Sequence, residues 1–166
     1  GSLLELQEVH RFSTGPVEVD GIYRLEFDRF FREICTGIGK AIHDYTPVVS
    51  VGVSSWGRQI LAIDSGGNLL EQPYHYRDSY KYGLEEEVHR LLSAEELYRI
   101  TGMYESDIPA LFAHVAGRSP DFSKASNVLQ VADYFNYRLS GVRVNEYTNA
   151  RVTQLLDAKT ATWSGK

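Results

Sequence analysis

The strongest constraint on the fold is a long amphipathic pattern that stops at a proline and is followed by a short β-branched run. Between Tyr23 and Tyr45, apolar side chains recur every three or four residues with charged side chains between them, as on one face of a helix. Pro47 ends this pattern, and Val48–Val53 has the composition of a buried strand in a parallel sheet. A helix that leads into a buried strand is typical of the α/β class, which we therefore predict. The apolar positions of the helix are Phe27, Phe30, Phe31, Ile34, Ile38 and Ile42.

Weaker patterns predict the other elements. An imperfect alternation indicates an edge strand over Leu3–Phe12, and the Ser-Gly-Gly-Asn stretch Ser65–Asn68 indicates a hairpin turn. A second short apolar run, Val128–Val131, is expected to lie beside Val48–Val53 as a parallel strand, with the long helix packed on their sheet. The remaining predicted elements are hairpin strands over 60–64 and 69–72 and helices over 81–92, from 93 to about 102, and over 133–139.

Composition limits the partners of the chain. Its 166 residues, 43% of them hydrophobic, suffice for one globular domain, and we treat 1–166 as a single domain. Seventeen basic and 22 acidic residues give a net charge of -5 without any basic run, which argues against nucleic acid as a partner. No apolar run approaches the roughly 18 to 20 residues of a membrane span. Cys35 is the single cysteine, so no intrachain disulfide can form, and a cytoplasmic location is expected.

A donor-rich segment follows the predicted strand Val48–Val53. In open α/β sheets, ligands bind beyond the carboxyl ends of the parallel strands, and the segment Ser54–Gln59 occupies that position. Its hydroxyl, indole, guanidinium and amide groups suit a polyhydroxylated or anionic ligand. The structural alternative is that the serines bond to nearby backbone and Trp56 fills the core. The polar side chains of this segment belong to Ser54, Ser55, Trp56, Arg58 and Gln59.

A second polar segment stands between the predicted hairpin and the next helix. Tyr76, Arg77 and Asp78 follow a strand, so their side chains could face the same mouth as Trp56. Two structural alternatives remain open, because Arg77 and Asp78 could pair with each other, or Asp78 could be the N-cap of the next helix.

Three other kinds of site are not indicated. Gly66-Gly67 precedes a strand, whereas a phosphate loop needs a helix directly after it. Gly52-Val53-Ser54-Ser55-Trp56 has a tryptophan where a hydrolase nucleophile elbow needs its closing glycine. The five histidines share no metal-ligand spacing.

Five stretches, taken together, resemble a known family. They are EVHRFSTGPVEVDG, VGVSSWGRQILAIDSGGNLLEQPYHYRDS, LSAEELYRITG, VADYFNYRLSG and EYTNARVTQLLDAKTATWS. In this order they resemble the N-terminal sugar-binding domain of the FGGY carbohydrate kinases, and their rhamnulokinase branch in particular. The resemblance implies an actin-like, ribonuclease-H-like α/β fold, with a mixed sheet flanked by helices and only part of that domain present. It also implies a two-domain parent that transfers the γ-phosphoryl group of ATP, with Mg²⁺, to a sugar hydroxyl.

The resemblance also assigns a sugar pocket. The rings of Trp56 and Tyr76 would face the C–H surfaces of the sugar, and Asp78 would accept hydrogen bonds from its hydroxyl groups. The catalytic base and the ATP-binding parts are expected outside these 166 residues, so the chain alone is expected to be inactive. The implied substrate-binding residues are Trp56, Arg58, Gln59, Tyr76, Arg77 and Asp78.

Departures from the family pattern concern the same pocket. Ser54 and Gln59 stand where the family usually has aspartates, and Arg151 stands where it usually has a serine. The family's Pro-Phe-Asn falls at 107–110, which reads Asp-Ile-Pro-Ala here. The loss of both carboxylates argues against rhamnulose as the substrate. Arg58 and Arg151, if they face the cleft, would suit an acidic or differently oriented sugar. The lost carboxylates also keep open a second hypothesis, a non-catalytic sugar-binding or scaffold relative, and a homodimer is a further open expectation.

Overall fold

The computed structural model describes residues 3–57, 59–75, 78, 83–104 and 122–164. Its strands form two antiparallel pairs, β1 with β2 and β3 with β4. The elements are β1 Val17–Val19, β2 Ile22–Arg24, α1 Phe27–Asp44, β3 Ile60–Ile63, α2 Leu84–Leu91, α3 Ala94–Thr101, β4 Asn127–Gln130, α4 Val131–Ser140 and α5 Tyr147–Arg151.

The long helix is confirmed, but it begins at Phe27 and not at Tyr23. The residues just before it form the hairpin β1–β2, in which Val17 pairs with Arg24 and Val19 with Ile22. Asp20 and Gly21 make the turn with φ values of 53° and 77°, the left-handed pair that a tight hairpin requires. This hairpin was not predicted, although an Asp-Gly pair between short alternating segments is its usual signal.

The predicted parallel strand pair is wrong. Asn127–Gln130 does form a strand, but it pairs antiparallel with β3, with Ile60 opposite Gln130 and Ile63 opposite Asn127. Val48–Val53 forms no strand, and Val49 is 90% exposed. A strand needs the backbone of a neighbour, and no described strand lies beside this segment, so its β-branched composition alone does not make it one.

The predicted hairpin after β3 is confirmed at its turn. Asp64 N–H donates to the Asn68 carbonyl at 2.9 Å, and Gly67 adopts the positive φ, 88°, expected of a glycine there. Its second arm is shorter than predicted, because beyond this turn only the Ile63–Leu69 bridge and the bond from Leu70 N–H to the Ala62 carbonyl continue the pairing.

The β3–β4 pair has an apolar layer on each face. Leu61, Ile63 and Leu129 belong to the main core with α1 and α4, where the Phe27 and Phe135 rings stack at 5.2 Å. Each such side chain contributes roughly 1.5 to 3 kcal/mol when fully buried, so this face dominates the stability. Ile60 belongs to a smaller cluster with Ala62, Phe122, Val128 and Leu155.

One arginine connects the two helices of the main core. Arg138 of α4 donates to the Tyr134 hydroxyl at 2.7 Å and to the Asp28 carboxylate of α1 at 3.1 Å. Its guanidinium also lies 4.2 Å from the centre of the Phe31 ring. The side chain therefore combines charge-assisted hydrogen bonds with a cation–π contact between α1 and α4.

The other helices follow their capping signals. Ser93 accepts a hydrogen bond from Glu96 N–H at the start of α3, and left-handed Gly102 ends it, as predicted. Left-handed Gly141 likewise ends α4. Helix α2 begins at Leu84, whereas the predicted start at residue 81 lies outside the described residues.

The predicted N-terminal edge strand is wrong. Residues 3–12 form no strand, and Leu3, Leu4 and Leu6 are exposed. The segment contacts α1 through a side chain instead, since the His10 ring nitrogen Nε2 lies 2.7 Å from the Glu33 carboxylate of that helix. None of the described helices is long and apolar enough to cross a bilayer.

Candidate functional site

Trp56 is the best-defined residue of the predicted pocket. It is half-buried and packs against the main core, with its ring edge-to-face on Phe27 at 6.1 Å and 86°. The structural alternative for its ring, core packing, is therefore borne out. The indole N–H is nevertheless buried without a hydrogen-bond acceptor among the described residues. A buried donor without a partner is costly, so this N–H is a candidate to bind a ligand oxygen.

The neighbours of Trp56 differ in exposure. Ser54 and Ser55 are exposed, and the Ser55 hydroxyl donates to the Trp56 carbonyl at 3.3 Å, which is the local backbone bond of the structural alternative. Gln59, directly before β3, is only 3% exposed. Arg58 lies outside the described residues.

Residues 73–75 extend the β1–β2 hairpin by pairing with β2 and the residue after it. Leu25 N–H donates to the Pro73 carbonyl at 2.8 Å, and His75 N–H donates to the Tyr23 carbonyl at 2.7 Å. The Arg24 guanidinium adds a cation–π contact, 4.3 Å from the centre of the Tyr74 ring. This pairing fixes the backbone that leads into the second polar segment.

Asp78 continues this connection with its side chain. It is 5% exposed, and its carboxylate accepts a hydrogen bond from Tyr23 N–H at 2.7 Å. Its own N–H donates to the His75 carbonyl at 2.9 Å. The N-cap of α2 is Gly83, so Asp78 does not cap that helix. Tyr76 and Arg77 lie outside the described residues, so an Arg77–Asp78 pair stays a prediction.

The two predicted site segments meet the same short piece of chain. Trp56 contacts Phe27, and Asp78 binds Tyr23, only four residues earlier. Four residues of extended backbone span at most about 14 Å, so both segments border the β2–α1 junction. Whether all six predicted residues converge on one concave site stays a prediction.

A group of buried polar side chains around α5 was missed by the sequence reasoning. Gln130 donates its amide N–H to the Asn149 carbonyl, and Gln154 donates to the Met103 carbonyl at 3.0 Å. In both side chains the amide oxygen is buried without a donor among the described residues. Gln154 also has a positive φ of 56°, which is unusual outside glycine. The only sequence signal was that Gln154 lies in the last of the five stretches that resemble the kinase family.

The pKa values of Asp133 and Asp157 are shifted in opposite directions. Burial raises the pKa of Asp133 above its usual value of 3.8, although Glu146 N–H donates to it at 3.2 Å. The pKa of Asp157 is lowered below 3.8, because its carboxylate accepts hydrogen bonds from the backbone N–H groups of Thr160 and Lys159.

Arg151 lies beside the end of α3. A side chain on Gly102 would place its Cβ 3.6 Å from the Arg151 guanidinium. The free carbonyl groups at a helix C-terminus favour a nearby cation, which is a structural reason for an arginine here. That Arg151 faces a sugar stays a prediction. Within the described residues, no three or more His, Cys, Asp or Glu side chains group as a metal site.

Comparison with known proteins identifies the relatives of this chain. No family model matches it. It is 34% identical over 163 residues to the rhamnulokinase of Oceanobacillus iheyensis, covering 96% of this chain and 35% of that protein. It is 35% identical over 166 residues to the rhamnulokinase of Pectobacterium atrosepticum, covering 98% of this chain and 34% of that protein. This chain is homologous to part of the FGGY carbohydrate kinases. It spans about a third of the length of these FGGY relatives.

Solved structures of sugar kinases share the fold. A gluconate kinase from Lactobacillus acidophilus superposes with a TM-score of 0.77 at 21% identity, over 92% of this chain and 32% of that one. A xylulose kinase from Rhodospirillum rubrum superposes with a TM-score of 0.75 at 17% identity, over 97% of this chain and 36% of that one. The predicted actin-like α/β fold of the FGGY kinases is thereby confirmed, although the parallel strand pair within it is not.

Proposed function

We propose that this chain is the sugar-binding part, from the N-terminal domain, of an ATP-dependent carbohydrate kinase that phosphorylates a sugar hydroxyl. The observation that carries the proposal is its identity of 34% to 35% with rhamnulokinases over nearly all of its length. In such a kinase, ATP with Mg²⁺ supplies the phosphoryl group. None of the described residues is assigned to ATP or Mg²⁺, which we expect to bind elsewhere in the full-length protein.

The proposed sugar site is built around the β2–α1 junction. Trp56 offers a sugar oxygen its indole N–H, which has no acceptor in the part of the chain that the structure describes, and it offers its ring to the apolar side of the sugar. The buried position of Gln59 suits a side chain that orients one hydroxyl group. Arg58, Tyr76 and Arg77 complete the proposed sugar contacts, and Asp78 belongs to the same site.

The proposed substrate class is a small polyhydroxylated sugar other than rhamnulose. A carboxylate only accepts hydrogen bonds, whereas Ser54 and Gln59, which replace the two usual aspartates, can both donate and accept. Loss of two negative charges removes repulsion of an anionic ligand, so a sugar acid becomes an admissible substrate besides a ketose. A cytoplasmic location belongs to the same proposal, and the exposed free thiol of Cys35 fits a reducing compartment.

The test uses the full-length protein that contains this chain. Phosphorylation is measured with ATP and Mg²⁺ on a panel of ketoses, deoxyketoses and sugar acids, and binding of the best sugar is measured by calorimetry. A net hydrogen bond of about 0.5 to 1.5 kcal/mol corresponds to a roughly 2- to 13-fold change in Kd. Trp56→Phe should weaken binding by that factor, because phenylalanine keeps an aromatic ring but has no N–H.

The matched control is the other tryptophan. Trp163 is 49% exposed, so Trp163→Phe should leave the Kd unchanged. Phosphorylation of no sugar in the panel would refute the kinase proposal. Sugar binding without phosphorylation would instead favour the alternative, a non-catalytic sugar-binding protein. That alternative is not favoured by the similar proteins, which are named as kinases.

A further inference from the structure

We propose, resting on the proposed function, that Asp78 is a positioning residue of the sugar site, which acts through the backbone of β2 and not by touching the sugar. This differs from the role expected for its carboxylate from the family resemblance, that of accepting hydrogen bonds from sugar hydroxyl groups.

The hydrogen bonds between β2 and residues 73–75 show where the backbone pairing stops. In a regular antiparallel hydrogen-bonded pair, the two residues exchange both of their N–H to carbonyl bonds. Tyr23 and His75 make one of them, in which His75 N–H donates to the Tyr23 carbonyl at 2.7 Å. The other bond is replaced, because the His75 carbonyl accepts from Asp78 N–H and Tyr23 N–H donates to the Asp78 carboxylate. The carboxylate thus takes the place of a backbone carbonyl.

Burial and a short bond length make this bond a specific anchor. Asp78 is 5% exposed, so little water competes for the Tyr23 N–H. The 2.7 Å between Tyr23 N and the carboxylate oxygen lies at the short end of the range for N–H···O hydrogen bonds. Asp78 therefore joins β2 to His75 through two hydrogen bonds. Its carboxylate accepts one from Tyr23 N–H, and its own N–H donates the other to the His75 carbonyl.

The hydrogen bonds of Asp78 matter for the sugar site because of the two residues that lie between His75 and Asp78 in the sequence. Tyr76 and Arg77, both proposed to bind the sugar, stand directly between His75 and Asp78. The anchoring strand β2 leads within a few residues to Phe27, on which Trp56 packs. Asp78 is thus placed to fix one binding segment relative to the other.

Two substitutions separate positioning from direct sugar binding. Asp78→Asn keeps an oxygen that can accept from Tyr23 N–H, whereas Asp78→Ala removes it. As a direct ligand, the charged carboxylate would contribute about 13- to 160-fold in Kd, and Asp78→Asn would lose much of this. As a positioning residue, Asp78→Asn should be close to wild type, and only Asp78→Ala should be impaired.

The experiment measures steady-state kinetics and amide hydrogen exchange in the full-length wild type and in both variants. We expect Asp78→Asn to stay within about threefold of the wild-type KM, because its amide oxygen still accepts from Tyr23 N–H and only the charge of the acceptor is lost. We expect Asp78→Ala to raise the KM at least about tenfold, with a smaller change in kcat, and to speed exchange of the Tyr23 amide. Asparagine at position 78 is therefore expected to preserve the low KM and the slow Tyr23 exchange that alanine loses.

Other outcomes overturn the proposal. If Asp78→Asn raises the KM as much as Asp78→Ala while the Tyr23 amide stays protected, Asp78 binds the sugar directly. If neither variant changes the KM, Asp78 has no role in the site. Should Asp78→Ala fail to fold, the Asp78→Asn kinetics still decide between the two roles. Failure of the proposed function looks different, because the wild type would then phosphorylate no sugar while the Tyr23 exchange rates still report on the anchor.

Discussion

Replacement of Gly67 by alanine should destabilise the protein more than any other single-methyl addition at a turn described above. Gly67 lies in the turn after β3 with a φ of 88°, and it is buried. A Cβ at this position would lie 1.7 Å from the Tyr137 hydroxyl oxygen and 2.8 Å from Cζ of the same ring. Carbon atoms do not approach other atoms this closely, so the Tyr137 ring of α4 must move.

The expected cost has two parts. A left-handed backbone costs a residue with a Cβ about 1 to 2 kcal/mol. Overpacking in a well-packed region adds about 1 to 3 kcal/mol. The sum, about 2 to 5 kcal/mol, is a large share of the roughly 5 to 15 kcal/mol that usually separates folded from unfolded protein.

Urea unfolding followed by circular dichroism measures this cost, with Gly21→Ala as the matched control. Gly21 has a similar φ of 77°, but nothing lies within 4 Å of its added Cβ, so it should lose only the backbone part. In the double variant Gly67→Ala with Tyr137→Ala, the clash is absent, and the two substitutions should show a favourable coupling of about 1 to 3 kcal/mol. Equal losses at Gly67 and Gly21 would refute the steric reasoning.

Three further predictions concern the helix contact, the pH dependence and the activity. Arg138→Ala should lower the free energy of unfolding by about 1.5 to 3 kcal/mol, because it removes the hydrogen bonds to Asp28 and buried Tyr134, and urea unfolding that shows no loss would contradict this. Asp157 has a lowered pKa, so its contribution to the free energy of unfolding is present above pH 3.8 and is lost as the pH falls through its folded pKa. Asp133 has a raised pKa, so its contribution to the free energy of unfolding is present below pH 3.8 and is lost as the pH rises through its folded pKa. The effects of Asp157→Asn and Asp133→Asn on unfolding should therefore change with pH in opposite directions, and parallel trends would show that one assignment is wrong. The purified 166-residue chain should form no sugar phosphate from ATP, and ATP-dependent product that persists after removal of contaminating kinases would contradict this.

Local signals predicted α1, α3 and α4 well, whereas α5 was not predicted. The spacing of Phe27 and Phe30 placed α1, Ser93 and Gly102 placed the ends of α3, and Gly141 placed the end of α4. These signals act within a few residues, so the sequence window contains all the groups that decide the structure.

Long-range pairing was harder to predict. Val48–Val53 has strand composition, but composition does not specify which backbone lies beside it, and β4 pairs with β3 instead. The anchoring of Asp78 was missed for the same reason, since its donor, Tyr23, is 55 positions away in the chain. The pocket residues were proposed from their positions after predicted strands and from the family resemblance. Only Trp56, Gln59 and Asp78 among them are described by the structure.

The surroundings of Trp56 give the protein a built-in optical reporter. These 166 residues contain two tryptophans, of which Trp163 is 49% exposed and Trp56 is half-buried against Phe27. Their fluorescence should therefore differ in wavelength and in accessibility to soluble quenchers. In the 166-residue chain with Trp163→Phe, all tryptophan emission comes from the ring whose N–H has no partner among the described residues, so an oxygen that binds this N–H should shift the emission to longer wavelength. Candidate sugars can then be screened from a spectrum, whichever sugar the protein binds.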